Sequence, residues 1–526
     1  MSTEVRNGVH LGAESLAPDG TVYPIPTPGE LRASFDECAA DAAAHREQGG
    51  HVIVVQGLGF VGAAVAATVA GATLDDGRPA HFVVGVDLPT PQGYWKVAKL
   101  NDGEPPFRAP DPELERLVRR GARERRNLRA TACEEAYGLA DVIVVDVHLD
   151  VENRVVDDPA EIRVGIDGLE AALRAIGSHM RPDALVLIET TVPMGTSERI
   201  ALPILREERQ RRGIDAPVLL AHAYERVMPG PSYVDSIRAH PRTFAGIDEE
   251  SAARARAFLT SFVDTQAYPL WELGDTASSE LAKLLENSYR SLNIAFIHEW
   301  TLLAEKIGIN LFEVVHSIRV RQGTHDNMRY PGFGVGGYCL TKDSLLAQWA
   351  ANHLFGSDAV LGMTLAGLKT NFEMPLHTLD LVQELAGADL SGKTVTVCGV
   401  SYIAEVADTR NSPTETLVDG LLARGAAVRV HDPHVVQWAE RPEIAVAQDF
   451  AAAVADADGV VFAVPHDEYV QLPPRELMDA LPARAFVVDA QDVLTDEKAS
   501  ALHAAGSRIL GVGKGHWRVQ GYERDV

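Results

Sequence analysis

The sequence has little cysteine, with four among 526 residues. The four are far apart and form no CxxC pair, a pattern that fits neither a disulfide framework nor a zinc site. We therefore predict a reducing cytoplasmic environment and a functional site without a metal. The cysteines are Cys38, Cys133, Cys339 and Cys398.

The sequence also lacks long apolar runs. No segment approaches the roughly 18 uninterrupted apolar residues that a membrane-spanning helix needs, and the N-terminal residues show no basic stretch followed by an apolar one. We therefore expect neither secretion nor a membrane partner.

Basic residues are scarce relative to acidic ones. The chain has 48 Lys and Arg against 74 Asp and Glu, giving a formal net charge of −26. Such a charge repels a phosphate backbone, so we do not expect a nucleic-acid partner. An anionic small substrate would need a local cluster of Arg, Lys and backbone N–H groups.

A glycine pattern begins at Gly57, after a β-rich run and before a run of small apolar residues. In that setting, GxGxxG lets a pyrophosphate approach the backbone at the start of a helix. A carboxylate at the end of the next strand suits a ribose hydroxyl and favours NAD over NADP. A glycine turn that only tightens the strand–helix corner is the alternative. The predicted cofactor-binding residues are Gly57, Gly59, Phe60, Val61, Gly62 and Asp87.

Strand-like and helix-like runs divide the chain into four segments. Residues 1–49 form an N-terminal extension without an interpretable motif. Residues 50–265 alternate strands and helices and form the predicted NAD-binding domain, and the alternation restarts over 389–526. Helical periodicity dominates 266–388. We predict an α/β fold in which two Rossmann-like, doubly wound domains are joined by a long central helix and a helical region.

A second glycine-rich loop, over residues 331–343, presents Cys339 shortly before Lys342 and Asp343. A neighbouring cation or helix start can lower the pKa of a thiol and give the thiolate that attacks carbonyl carbon. A buried structural cysteine is an equally good reading of this local sequence.

Lys283 and Asn287 lie four residues apart in a helix-like segment, so they share one helix face. A cation and an amide donor on one face can stabilise an alkoxide or oxyanion, and the lysine can assist proton transfer. A solvated helix face is the alternative.

Six motifs in a fixed order resemble the UDP-glucose/UDP-N-acetylhexosamine 6-dehydrogenase family. The resemblance covers about residues 50–500. It implies an NAD-dependent, four-electron oxidation of the C6 hydroxymethyl group of a nucleotide sugar to a uronate, by a homodimer or higher homo-oligomer. The motifs are GLGFVG, ETTVPMGT, ERVMPG, ELAKLLENSYR, GVGGYCLTKD and DTRNSP.

The same resemblance assigns roles to individual residues. Cys339 is implied to be the nucleophile, with Lys283 and Asn287 holding the oxyanion and Asp343 acting as an acid/base or water-orienting group. Thr191 and Glu225 resemble the residues that position water for hydrolysis. The implied substrate-binding residues are Arg410, Arg242, Lys342, Gly336, Gly337 and Tyr338.

Three departures from the family pattern accompany these matches. The usual Val-Pro-Thr-Pro reads Val147 to Asp150 without proline, Ile403 stands where a lysine is common, and Gln491 replaces a frequent arginine. The last two changes remove cations from the predicted nucleotide-sugar side. The motifs also resemble two different branches of the family. ERVMPG and GVGGYC resemble the N-acetylhexosamine enzymes, whereas Lys342-Asp343 resembles the UDP-glucose enzymes.

Two other functions stay open at this stage. A two-electron β-hydroxyacid dehydrogenase also places Lys and Asn four apart on a helix, but it needs no cysteine. A catalytically silent sugar-nucleotide-binding protein is suggested by the departures at His148, Ile403 and Gln491. Retention of Cys339 and its predicted partners argues against the silent protein.

Overall fold

The computed structural model describes residues 14–107, 109–152, 154, 158–228 and 230–525. The chain divides into two compact units. The first holds the described residues up to position 152 together with Asp158–Leu284 and Leu346–Ala359, and the second holds Arg154, Leu285–Leu345 and the described residues from Val360 onward.

The first unit is built on an eight-stranded sheet. Its strand order is β12-β11-β10-β9-β6-β3-β4-β5. The pairing is parallel except between β10 and β11, and two short antiparallel pairs, β1-β2 and β7-β8, lie outside it. The strands are β1 (Glu14–Leu16), β2 (Val22–Pro24), β3 (His51–Gln56), β4 (His81–Val86), β5 (Leu128–Thr131), β6 (Val142–Val145), β7 (Asp150–Val151), β8 (Val164–Gly165), β9 (Leu185–Ile188), β10 (Leu219–His222), β11 (Arg242–Gly246) and β12 (Leu270–Glu272).

Helices pack on both faces of this sheet in two separate apolar clusters, which explains why the central strands present apolar side chains to both sides. They are α1 (Pro28–Glu47), α2 (Phe60–Gly71), α3 (Tyr94–Asn101), α4 (Pro112–Arg119), α5 (Asp167–His179), α6 (Leu202–Arg211), α7 (Tyr233–Arg238) and α8 (Glu249–Thr260).

The described part of the N-terminal extension, residues 14–49, contributes to this core; residues 1–13 lie outside the described residues. Thr27 and Glu30 form a reciprocal capping box that begins α1, which satisfies two otherwise unpaired backbone donors. Phe35, Cys38 and Ala42 of α1 are buried in the same apolar cluster as strands β3 and β4. Burial raises the pKa of Cys38 to about 12, so this thiol stays protonated near neutral pH.

The second unit contains a six-stranded, fully parallel sheet in the order β15-β14-β13-β16-β17-β18. The order reverses on either side of β13, and crevices at such points are the usual ligand sites of open α/β sheets. The strands are β13 (Thr394–Cys398), β14 (Ala427–His431), β15 (Val446–Ala447), β16 (Gly459–Phe462), β17 (Phe486–Asp489) and β18 (Ile509–Gly511).

The longest helix, α9 (Thr276–Lys306), begins in the first unit and ends in the second. The remaining helices are α10 (Leu311–Arg319), α11 (Asp343–His353), α12 (Gly362–Ala386), α13 (Pro413–Ala423), α14 (Phe450–Val454), α15 (Asp467–Val470), α16 (Pro474–Ala480), α17 (Asp496–Ala504) and α18 (Gly515–Val519).

The predicted α/β class, with two parallel-sheet domains and a long central helix, is confirmed. The boundaries predicted at positions 265 and 388 stay predictions, and the helical residues between them are shared by the two units. Among the described residues, no helix combines the length and the apolarity that crossing a membrane requires.

Candidate active site

The glycine loop between β3 and α2 has the shape of a dinucleotide cradle. Gly57 has a φ of +92°, and a Cβ there would lie 2.4 Å from the Asp146 carbonyl oxygen. A Cβ on Gly62 would lie 1.9 Å from the Gly57 carbonyl oxygen. Around Gly59, by contrast, no atom of the described residues lies within 4 Å of the Cβ position. The loop therefore leaves open space at the start of α2, where Phe60 and Val61 begin the helix.

This open space fits the pyrophosphate of NAD, because the first amides of a helix have no partner within it and attract anions. The carboxylate of Asp87, directly after β4, is fixed beside the loop. Its Oδ2 accepts hydrogen bonds from the Leu58 amide at 2.9 Å and from Lys96 Nζ at 3.0 Å. The residues predicted to hold the cofactor are thus gathered at one end of the sheet.

The substitution Gly59→Ala is expected to weaken NAD binding without changing the stability of the fold. Its φ of −75° is open to alanine, so we expect an unchanged unfolding temperature but an NAD affinity lowered about 10- to 100-fold by the methyl group in the cradle. Titration calorimetry with NAD measures the affinity. Gly29→Ala, which also adds a methyl group to open space, should bind like the wild type, and equal NAD binding by the two variants would contradict the assignment.

Lys283 is held against the segment that follows β10. Its Nζ donates to the Glu225 backbone carbonyl at 2.9 Å and lies 3.3 Å from Glu225 Oε1. Both side chains are nearly buried. The structure therefore brings together two of the residues that the resemblance implied, and it orients the lysine through a carboxylate.

Thr191 lies half-buried in the loop after β9. Glu280 of α9 anchors the continuation of this loop, accepting hydrogen bonds from the Ser197 amide at 2.8 Å and from the Ser197 hydroxyl at 2.6 Å. Sequence reasoning missed Glu280, although its place one turn before Lys283 puts it on a neighbouring part of the same helix face. We regard it as a positioning residue.

Burial raises the pKa of Glu280 to about 7 from 4.5. Because the folded form keeps the proton while the unfolded form ionises, stability is lost as the pH rises between these two values. Glu280→Gln stays neutral, so its unfolding temperature should fall less between pH 5 and pH 7 than that of the wild type. Thermal unfolding over this range tests the prediction, with the exposed Glu299→Gln on the same helix as a control; identical slopes for all three proteins would refute it.

Arg242 does not face open solvent. Its side chain is fully buried, and Nη1 donates to Glu189 Oε1 at 2.8 Å and to the Tyr224 carbonyl at 3.1 Å. Burial, together with the charge of Glu189, raises the pKa of the neighbouring Asp146 carboxyl. In this conformation the Arg242 guanidinium neutralises buried carboxylates and is closed to a phosphate, which differs from the substrate-binding role expected from the resemblance.

In the second unit, Cys339 is exposed just before α11. Its carbonyl accepts hydrogen bonds from the amides of Asp343 at 3.0 Å and Lys342 at 3.3 Å. The Asp343 carboxylate in turn accepts from Asn287 Nδ2 at 2.7 Å and lies 3.3 Å from Lys342 Nζ. All four cysteines are among the residues that the structure describes, and of these four only Cys339 is exposed. Its loop is tied to Asn287 through Asp343.

The glycines before Cys339 allow close packing on residues 402–413. A Cβ on Gly336 would lie 2.5 Å from the Tyr402 Cβ, and Gly337 has a φ of +76°. The Gly337 amide donates to the Arg410 carbonyl at 3.0 Å, and Asn411 Nδ2 donates to the Gly337 carbonyl at 3.0 Å. The cysteine loop and the DTRNSP motif thus form one structure.

Three cations surround the Tyr338 ring next to Cys339. Arg410, Arg154 and Lys342 place their charged groups 5.2, 5.6 and 5.6 Å from the ring centroid. Arg410 is oriented by a two-pronged ion pair with Asp408. Together they form a local basic cluster of the kind that an anionic substrate needs in a protein of net charge −26. Sequence reasoning missed Arg154, because no motif surrounds it.

A cavity of about 160 Å³ lies at the carboxyl ends of β13 and β16. Ser401 to Ala404 line one side, and Val464 and Pro465 line another. Ile403 and Gln491, the two departures that remove cations, both border it. The cavity is therefore where the sheet topology predicts a ligand, but it lacks two of the family's usual positive charges.

The glycine cradle between β3 and α2, with the Asp87 carboxylate beside it, indicates an NAD-dependent oxidoreductase. Three family models match in order: the NAD binding domain over residues 51–262, the central domain over 277–364 and the UDP binding domain over 396–496. The chain belongs to the UDP-glucose/GDP-mannose dehydrogenase family, as its motifs indicated.

Relatives are similar over most of their length. A UDP-N-acetyl-D-mannosamine dehydrogenase from Methanocaldococcus jannaschii is 29% identical over 451 residues, which cover 85% of this chain and 94% of the relative. The crystal structure of an NDP-N-acetyl-D-galactosaminuronic acid dehydrogenase from Methanosarcina mazei matches with a TM-score of 0.74 and 27% identity, covering 92% and 99%. A UDP-glucose dehydrogenase from Pyrobaculum islandicum matches with a TM-score of 0.72 and 25% identity, covering 88% and 98%.

Proposed function

We propose that this enzyme oxidises the C6 hydroxymethyl group of a UDP-N-acetylhexosamine to the carboxylate, with Cys339 as covalent nucleophile. The observation that carries the proposal is the exposed Cys339 on a loop fixed to Asp343, which binds Asn287 of α9. An enzyme that stops at the aldehyde has no use for an acyl intermediate on a thiol.

The residues supply distinct parts of the chemistry. Bound NAD provides the acceptor for the electron pairs that leave the substrate. Lys283 and Asn287 stabilise negative charge on the substrate oxygen. Cys339 adds to the C6 aldehyde to form a thiohemiacetal, whose oxidation gives a thioester. Thr191 and Glu225 position the water that hydrolyses this thioester, and Asp343 orients the groups around it.

The diphosphate of the substrate requires positive charge in a protein of net charge −26. Arg410 can present its guanidinium fork to phosphate oxygens once it is released from Asp408. Lys342 and the backbone of Gly336 and Gly337 beside Tyr338 add further donors.

The choice of sugar rests on two observations. ERVMPG and GVGGYC resemble the N-acetylhexosamine branch, and two of the relatives above are named for N-acetylated sugars. Lys342-Asp343 resembles the UDP-glucose branch. UDP-N-acetylhexosamine is therefore the preferred substrate and UDP-glucose the second candidate.

A homodimer is proposed from an exposed apolar stripe on α9. Side chains about one or two turns apart are 47–64% exposed, which is the pattern of an unburied helix face. We expect sedimentation or light scattering to give twice the monomer mass of 56.7 kDa, and a monomer at micromolar concentration would contradict the proposal. The stripe consists of Leu285, Tyr289, Phe296, Trp300 and Leu303 of α9 and of Ile307, which directly follows the helix.

The enzyme is proposed to act in the cytoplasm. The free thiols of all four cysteines support this proposal, because disulfides are rare in a reducing compartment.

A panel of UDP-glucose, UDP-N-acetylglucosamine, UDP-N-acetylmannosamine and GDP-mannose tests the substrate by NADH formation and identification of the product acid. We expect the largest kcat/KM with a UDP-N-acetylhexosamine. Binding of UDP-sugars without turnover of any of them would favour a silent binding protein.

A further inference from the structure

Three potential metal ligands follow three neighbouring strands of the second sheet. Glu405 follows β13, His434 follows β14 and His466 follows β16, and β13 lies between the other two. Because all three strands are parallel, their carboxyl ends meet at one edge, and the three side chains converge there.

The distances among these side chains suit a metal ion. His434 Nε2 lies 3.2 Å from Glu405 Oε2, and His466 Nδ1 lies 3.6 Å from Glu405 Oε1. All the potential ligand atoms lie within 4.8 Å of one another. Ligands at about 2.0–2.1 Å in a tetrahedral zinc site are roughly 3.3 Å apart, so small side-chain movements complete the geometry. Two imidazoles and one carboxylate are a donor set for zinc and similar transition metals.

The fully buried His466 is already oriented in the manner of a metal ligand. Its Nε2 lies 3.2 Å from Asp432 Oδ2 and 3.2 Å from the Ser401 hydroxyl. The Asp432 carboxylate is fixed by four backbone amides, two on each oxygen. Metal-binding histidines typically donate their second ring N–H to such a carboxylate, which leaves the other nitrogen for the metal.

Glu405 completes the cluster from a strained backbone. Its φ of +62° lies in the left-handed region, which costs energy for a residue with a side chain and is common at functional sites. Its amide donates to His466 Nδ1 at 3.1 Å, and Oε1 accepts from the Asp467 amide at 2.8 Å. Metal binding exchanges the first of these hydrogen bonds for a coordinate bond to Nδ1.

We propose that Glu405, His434 and His466 bind one divalent transition-metal ion of the zinc class. Ala404 and Pro465, the residues next to two of these ligands, line the 160 Å³ cavity. The ion therefore supplies positive charge beside Ile403 and Gln491, where the family's cations are replaced, and favours the substrate diphosphate. This second part rests on the proposed function.

Metal binding is tested on the full-length enzyme without substrate. Protein treated with EDTA is dialysed against Zn²⁺, and bound metal is counted by mass spectrometry; Co²⁺ reports the ligand set by its visible absorption. We expect one ion per chain, with affinity lowered about 100-fold in His434→Gln and Glu405→Gln. The control His516→Gln breaks a hydrogen-bonded pair with the half-exposed Asp496 outside the cluster and should keep the metal. Equal retention by all variants, or no retention by the wild type, would overturn the proposal.

The link to the diphosphate has its own readout. We expect UDP to bind at least about 5-fold more tightly with Zn²⁺ than without it in the wild type, and equally in His434→Gln under both conditions. Equal UDP affinity with and without Zn²⁺ in the wild type would overturn this link. The metal count needs no turnover, so its failure is distinguishable from a failure of the sugar oxidation itself.

Discussion

Cys339→Ser is expected to lower formation of the product acid by about 1,000-fold or more while NAD binding stays close to that of the wild type. A serine hydroxyl lacks the acidity and nucleophilicity of a thiolate, and the thioester cannot form on it. Cys339 lies in the second unit, outside the glycine cradle between β3 and α2, so the cofactor site is left intact. Product acid is measured by mass spectrometry, and NAD affinity by titration calorimetry.

The matched control is Cys133→Ser. Burial and the hydrogen bond to Glu135 raise the pKa of Cys133 to about 12, so this thiol is protonated near neutral pH and should contribute nothing to the chemistry. We expect wild-type activity from this variant. Undiminished acid production by Cys339→Ser would remove the cysteine from the mechanism.

Lys283→Met is expected to lower kcat about 100- to 1,000-fold, with a smaller change in KM. Removing one donor from a site that stabilises developing negative charge typically costs this much. Methionine keeps the length and much of the volume of the nearly buried lysine, so the packing loss is small. Steady-state kinetics with saturating NAD give both constants.

Lys306→Met, an exposed substitution at the end of the same helix, serves as the control and should leave kcat unchanged. A Lys283→Met enzyme that loses only affinity for substrate, with kcat preserved, would show that the lysine binds the ground state and takes no special part in the transition state.

Much of the fold follows from local patterns in the sequence. The β-rich runs that start at His51 and Lys393 contain strands β3 and β13. Most residues of both strands are buried, as is typical of a parallel sheet with both faces covered. The extension over residues 1–49 has a helix-like stretch near Pro28 to Gln48, which is α1, but no apolar run that would place it in a core. The helix α1 has few buried side chains, and it joins the first core through contacts with strands that lie after it in the sequence.

The candidate site was predictable where residues are close in sequence. Lys283, Asn287, Lys342 and Asp343 each lie within a short motif. The structure pairs Lys283 with Glu225, and it pairs Asn287 and Lys342 with Asp343. The catalytic roles of these residues stay predictions. Residues that join the site from far away in the sequence could not be recognised from a motif. Arg154 joins the Tyr338 ring from a separate segment.

The proposed metal site and Arg242 both show that sequence patterns do not reveal which distant residues lie together in the fold. Glu405, His434 and His466 follow three different strands, so their convergence depends on sheet order, and the sequence predicted no metal. Arg242 matched a substrate-binding position, but burial beside Glu189 decides its environment. A pattern of residue types does not report which charges are desolvated together.

The most direct measurement is the number of NADH molecules formed per molecule of limiting UDP-N-acetylhexosamine consumed to completion. Oxidation of the alcohol to the acid through a thioester on Cys339 predicts two. A value of one, with an aldehyde or ketone as the product, would contradict the four-electron mechanism and favour a two-electron dehydrogenase.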